Sequence, residues 1–266
     1  MLKFPRFAIS IVSALAVLGC ARERSTGEPI VESSAKQSPA SVAPEAQVER
    51  PRSYDEAAAE PLYRDAVGVA ADGNADATLA ALARALDVGA SPARALTEVS
   101  FQPLRCMRGF RELIARHARQ SSIVMVAPDE PGPRMVVSGV VRARDGKPIR
   151  GALVYAFQTD AAGYYSPGGM DERNPRLFGY ARTDEQGRYQ LGTIRPGTYH
   201  NEPDIDQHIH FELSAPGYKL KHARLGFSDD PVWTGRSSAP SWVRPVDRDT
   251  NGTQRCSLDV VLDVEL

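Results

Sequence analysis

The sequence has no excess of charge of either sign: 32 Lys and Arg face 33 Asp and Glu among 266 residues, a formal net charge of −1. Phosphate binding needs a basic face, and without one a nucleic-acid partner is excluded. No Gly-x-Ser-x-Gly elbow or comparable nucleophile signature is present, so a hydrolase has no support. Cysteine is scarce, at three residues, and tryptophan scarcer, at two. No disulfide-dense scaffold can be built from so few thiols. The apolar stretch from Phe7 to Leu18 is too short to span a bilayer. What remains is an ordinary soluble composition with 24% charged residues, enough chain for one sizeable domain or two small ones.

Residues 1–20 read as a secretory signal: Lys3 and Arg6 make a basic start, an apolar core follows, and small residues precede Cys20. Val17-Leu18-Gly19-Cys20 resembles a bacterial lipobox, which implies cleavage before Cys20, a lipid anchor on it and attachment to a membrane outside the cytoplasm. An ordinary signal peptide cut nearby is the alternative. From 21 to 52 the chain is rich in Ser, Pro, Ala, Glu and Gln, and reads as a disordered tether that buries too little to offset its ordering entropy. Cys106 and Cys256 are then left in an oxidising compartment, where a disulfide or two buried free thiols both fit.

Residues 53–125 carry helical periodicity. Leu79, Leu82 and Leu86 recur through an alanine-rich run, Gly89 suits a stop and Ser91 with Pro92 a start. From Leu104 to His117, Met107, Phe110, Leu113 and Ile114 share one face, while Arg108, Arg111, Arg116 and Arg119 read as a solvated face and His117 as a solvated residue near a helix end. Docking or homo-oligomer formation is the role expected of this segment. From 130 to 266 the period becomes that of strands: Met135 to Val141, then Ala152 to Phe157, with turns at Asp145-Gly146-Lys147-Pro148, Asp184-Glu185-Gln186-Gly187 and Arg195-Pro196-Gly197-Thr198. The last ten residues alternate, with Leu258, Val260, Leu262, Val264 and Leu266 on one face. The fold class is mainly β, an antiparallel β-sandwich preceded by a small α-helical segment.

Within this region lies Asp204-Ile205-Asp206-Gln207-His208-Ile209-His210-Phe211. On a strand the two-residue period puts His208 and His210 on one face. Neutral imidazole is a common metal ligand; a half-buried strand whose histidines bond to neighbours is the other reading. Tyr165 and Tyr199 sit at loop positions of the same region. A phenol becomes a ligand only for a strongly Lewis-acidic cation such as ferric iron; turn capping and packing are the plainer roles for the two.

Residues from about Val136 to Asp230 resemble the intradiol ring-cleavage dioxygenases, which include the catechol and protocatechuate enzymes. The matching segments run from Gly139-Val140-Val141 through Gln158-Thr159-Asp160-Ala161-Ala162-Gly163-Tyr164-Tyr165-Ser166 and Thr193-Ile194-Arg195-Pro196-Gly197-Thr198-Tyr199 to His208-Ile209-His210-Phe211. The helical segment and tether lie outside them. The resemblance implies that Tyr165, Tyr199, His208 and His210 bind non-haem Fe(III), with Tyr199 the ligand that a catechol-type aromatic diol displaces. It implies that both atoms of O2 enter the ring between the hydroxylated carbons. A binding module that keeps the metal site without turnover is the reading from another class.

The sequence departs from the family at two places. An arginine usually stands three residues before the first histidine, where Ile205 stands here, and a glutamine on the following strand aligns with Arg224. Arg224 is the residue expected to supply the lost positive charge. Glu202, Asp204 and Asp206 would orient a histidine ring and repel a carboxylated substrate, which favours a neutral catechol or a larger phenolic compound.

Overall fold

The computed structural model describes residues 54–233, 236 and 238–265; the signal, the tether and Cys20 lie outside them. Four helices come first: α1 (Glu56–Ala70), α2 (Ala75–Val88), α3 (Pro92–Thr97) and α4 (Arg108–His117). Their starts follow local chemistry. Asp55, Asn74 and Ser91 each accept a backbone N–H of the first turn, and Pro92 opens α3. No helix among the described residues is long and apolar enough to cross a membrane.

The strands are β1 (Ser122–Val124), β2 (Arg134–Ala143), β3 (Leu153–Gln158), β4 (Leu177–Arg182), β5 (Arg188–Ile194), β6 (His208–Ser214), β7 (Lys221–Phe227), β8 (Val243–Arg244), β9 (Asp247–Arg248), β10 (Gln254–Ser257) and β11 (Val260–Leu262). One sheet runs β1-β5-β2-β10-β9, with β11 also on β2; the other runs β4-β3-β6-β7-β8. The long neighbours pair antiparallel, while β1 on β5, β10 and β11 on β2, and β8 on β7 are parallel additions. The sandwich read from the sequence is therefore present, mixed at its margins.

The two faces of the second sheet have different work. Val154, Ala156, Ile209, Phe211, Leu213, Leu225 and Phe227 point inward and are buried, with Phe211 6.3 Å from Tyr189 of the first sheet. The outer face carries Tyr155, Phe157, Phe178, Tyr180, His208, His210 and Arg224, as the register of β3, β4, β6 and β7 requires. One half of this outer face lies under the helices. Phe178 meets Phe110 of α4 edge-on at 6.2 Å, and Phe110 continues through Phe101 to Tyr63 of α1. Helices and sandwich thus share one hydrophobic core.

Several side chains lie where periodicity alone does not put them. His117 is 2% exposed, with Nδ1 2.9 Å from the Leu113 carbonyl and Nε2 2.9 Å from Asp87. Arg111 is buried too, and donates to the carbonyls of Cys106 and Arg173 and to Asn174. Both lie toward the buried side of α4, where long polar side chains satisfy loop carbonyls that periodicity does not reveal. Arg105 is buried as well, donating to the Met125 carbonyl. The terminal alternation holds through Leu258, Val260 and Leu262, but Val264 is exposed because β11 ends at Leu262. Cys106 and Cys256 are free thiols; burial pushes that of Cys256 up to about 11.

Because Phe178 joins the helical and sheet parts of the core, Phe178→Ala should cost about 3–5 kcal/mol. Denaturant unfolding checks this; a loss under about 1 kcal/mol would show that the helices do not depend on the contact.

Candidate metal centre

The two-residue period of β6 brings His208 and His210 onto the uncovered half of the outer face, their Nε2 atoms 2.9 Å apart. Each ring is fixed from behind. His210 stacks on Phe157 at 4.8 Å and 9°. His208 places Nδ1 2.7 Å from the backbone carbonyl of Asp206. A carbonyl only accepts, so this Nδ1 carries the proton and Nε2 keeps its lone pair. Burial pushes His208 down to about 4 and His210 to about 3, the latter helped by His208 and Arg224, so both imidazoles are neutral near pH 7.

Two loops bring the phenols to the same point. In the first, Asp160 accepts the N–H groups of Ala162 and Tyr164 on its side chain, and Gly163 turns at φ +86°. In the second, Gly197 donates its N–H to the Asp160 carbonyl and accepts the Thr159 hydroxyl. The contact between the loops leaves no room for side chains: a Cβ on Gly163 would lie 1.9 Å from the Thr198 carbonyl oxygen, and one on Gly197 2.5 Å from that of Ala161. Behind Tyr165, the N–H of Arg176 donates to its carbonyl, and the Arg176 guanidinium forks onto Glu130 at 2.6 and 2.7 Å.

The hydroxyls of Tyr165 and Tyr199 are 2.6 Å apart. Tyr199 Oη is 3.1 Å from His208 Nε2 and 3.5 Å from His210 Nε2. Four donor atoms, two phenolic oxygens and two imidazole nitrogens, therefore converge. Burial pushes the pKa of both phenols up, making them weaker acids; the Tyr199 hydroxyl adds to this at Tyr165, while the Tyr165 hydroxyl offsets part of it at Tyr199. The phenol O–H groups can donate to one another and to an imidazole lone pair; the same two phenolic oxygens and two imidazole nitrogens, aimed at one point, are also donors that a hard, strongly Lewis-acidic cation would take in place of those protons. The donor set fits such an ion. Among the described residues no group of three or more His, Cys, Asp or Glu gathers as a metal site; the tyrosines complete this one.

Other residues fall outside the donor set. His200 stacks on Tyr164 at 4.6 Å, and His222 is exposed, 3.7 Å from Glu212. Ile205 is half-buried in the turn leading into β6, its N–H on the Glu202 carbonyl; Glu202 and Asp204 are exposed. Asp206 does orient His208, but through its backbone carbonyl. Arg224, opposite His210 across the β6–β7 pair, reaches along the sheet so that Nη2 lies 3.0 Å from His208 Nδ1. Phe157 and Trp242 were not singled out from the sequence. Alternation on β3 marks the face of Phe157, whereas Trp242 arrives from a connection without a motif.

A family model described as "Dioxygenase" matches residues 110–240, reaching back to take in nearly all of α4 and all of β1 as well as the segments quoted above. The chain is 41% identical over 112 residues to the protocatechuate 3,4-dioxygenase beta chain of Burkholderia cepacia, covering 38% of this chain and 47% of that one. It is 32% identical over 122 residues to catechol 1,2-dioxygenase 2 of Acinetobacter lwoffii, covering 39% and 44%. The solved 3-chlorocatechol 1,2-dioxygenase of Rhodococcus opacus aligns at 26% identity and a TM-score of 0.48, over 56% of this chain and 68% of that one. Over residues 110–240, just under half of its length, the chain is similar to the intradiol ring-cleavage dioxygenases, the family that this model and these relatives support. It spans less than half the length of these two curated relatives.

The interlocked loops generate a test. Gly163→Ala should lose at least about 2 kcal/mol more stability than Gly168→Ala, whose φ is +68° but whose Cβ would meet nothing within 4 Å. Denaturant unfolding of both variants separates backbone strain, which they share, from the clash, which only Gly163 has.

Proposed function

We propose that this protein is a non-haem Fe(III) dioxygenase that opens catechol-type aromatic rings between the two hydroxylated carbons, adding both atoms of O2 to give a muconate-type diacid. The observation that carries the reading is the convergence of Tyr165 Oη, Tyr199 Oη, His208 Nε2 and His210 Nε2 on one point of the outer sheet face. These four would hold the ion, which supplies Lewis acidity and a template for the diol.

The roles of the chain's own groups follow from burial. Tyr165 is 2% exposed and hemmed in by Phe157 and the Arg176 backbone, so it stays in place. Tyr199 is only half-buried and is the phenol a ligand can reach. Held as a phenolate by the bound ion, its Oη would be able to take a proton from a substrate hydroxyl that replaces it, a general-base role. Phe157 excludes water behind His210. Arg224 adds a fixed positive field, the electrostatic counterpart of negative charge developing on the ring. The sequence of residues 1–20 supports an activity placed outside the cytoplasm, with Cys20 as a lipid anchor.

Purified full-length protein loaded with ferric iron should show a tyrosinate charge-transfer band in the visible. Anaerobic catechol should shift it and a strong chelator abolish it. Aerobic catechol should then consume one O2 per ring. A colourless iron-loaded protein would sink the four-ligand assignment; a band and shift without oxygen uptake would leave a metal-binding module, the reading that Ile205 in place of arginine favours. Tyr199→Phe should retain iron yet lower kcat about 10²–10⁴-fold, the usual worth of a positioned base.

A further inference from the structure

Beside the four donor atoms sits a second cluster that the proposed reaction does not use directly. Asp206, 5% exposed, takes Arg224 Nη2 on Oδ1 at 2.5 Å. The guanidinium of Arg224 lies over the Trp242 ring at 4.4 Å, and Trp242 meets Trp233 edge-on at 5.4 Å. The cluster needs Gly226. A Cβ there would fall 2.6 Å from Trp242 and 2.8 Å from Asp206 Oδ2, so the missing side chain opposite His208 is what admits both groups.

This ion pair is poorly explained as a stabilising device. Asp206 Oδ2 and Arg224 Nε are both buried without a hydrogen-bond partner, although the Arg224 side chain as a whole is 33% exposed, and an ion pair repays the desolvation of its buried atoms only when those atoms are satisfied. Its position gives it another use. Arg224 stands against the donors, its Nη2 3.0 Å from His208 Nδ1, and its charge bears on His208, His210, Tyr165 and Tyr199 alike. Left alone, it would make the site a receptor for anions. Asp206, one hydrogen bond away, reduces that single charge to a dipole whose field falls off more steeply.

Resting on the dioxygenase reading, we propose that Asp206 is a specificity-determining residue: by holding and neutralising Arg224 it sets the site for uncharged catechol-type rings and against carboxylated ones. Glu172, Glu202 and Asp204, acidic residues near the phenols and the start of β6, are exposed, so selection runs through this pair and not through a general acidic surface. Trp242 fixes where the guanidinium lies, and thereby where the dipole points.

The test is a binding measurement, free of turnover. Iron-loaded full-length protein is titrated anaerobically with catechol and with 3,4-dihydroxybenzoate, and the dissociation constants are read from the shift of the visible band. The wild type should prefer catechol. Asp206→Asn should move the ratio of the two constants about tenfold toward the carboxylate, the scale of one charge at several ångströms in a partly shielded site. Arg224→Gln should move it the opposite way, and Asp206→Asn combined with Arg224→Gln should return it near the wild-type value. Ratios unchanged within twofold in all folded variants would overturn the proposal while leaving the dioxygenase reading intact. If Asp206→Asn fails to fold, Arg224→Gln decides alone: a further loss of carboxylate binding supports the proposal and an unchanged ratio overturns it. Failure of the wild type to bind catechol at all overturns the underlying reading instead.

Discussion

The site depends on strand β6 having one face in the sandwich core and the other left partly bare. Ile209, Phe211 and Leu213 anchor the strand inward, and the pleat then leaves His208 and His210 no choice but to project outward together. A slip of one residue would bury both imidazoles and expose the anchors, so the hydrophobic core itself enforces the side on which the chemistry takes place. The phenols have no such strand to fix them. Their placement rests on two loops whose backbones touch at Gly163 and Gly197, closer than any side chain would permit. Rigid strand and interlocked loops together set the four donors at fixed distances.

Charge around the donors is arranged in layers. Burial keeps the imidazoles neutral, with lone pairs free for a cation, and the phenols protonated, so that the phenols would give up their protons only to a strongly Lewis-acidic ion. Behind them, Arg224 supplies positive field and Asp206 limits its range. Trp242 and the gap at Gly226 hold that pair beside His208. The result is a site whose preference for substrate charge can be tuned at one residue that never needs to touch substrate.

Much of this was legible in the sequence, for identifiable reasons. Capping residues and proline placed the helices because their chemistry is local. The His-x-His spacing put two imidazoles on one strand face because strand period is also a local property, whereas Tyr165 and Tyr199 entered as donors only through the family resemblance, since turn type alone says nothing of where a phenol points. Long-range facts were not legible. His117 and Arg111 read as solvated because periodicity ranks residues by type, while their actual partners lie at Asp87 and in the loop carrying Arg173 and Asn174. The Asp206–Arg224–Trp242 cluster depends on the register of β7 and on which residue of an irregular connection lands beside it. Neither leaves a trace in spacing.

The aromatic row Phe110, Phe178, Tyr155, Phe157 and His210 runs without interruption from a helix to a candidate ligand. The second sheet's outer face is larger than the donor set needs, and the surplus is apolar, so some cover is obligatory for the sandwich to remain soluble. That cover is committed to the sheet by rings such as Phe110 and by polar ties, Arg111 to Arg173 and Asn174 and Arg182 to the Ala118 carbonyl. The helical segment is thus a fitted lid on a fixed bench: its inner surface is spoken for, and only its outer surface can vary while the apparatus beneath stays in register.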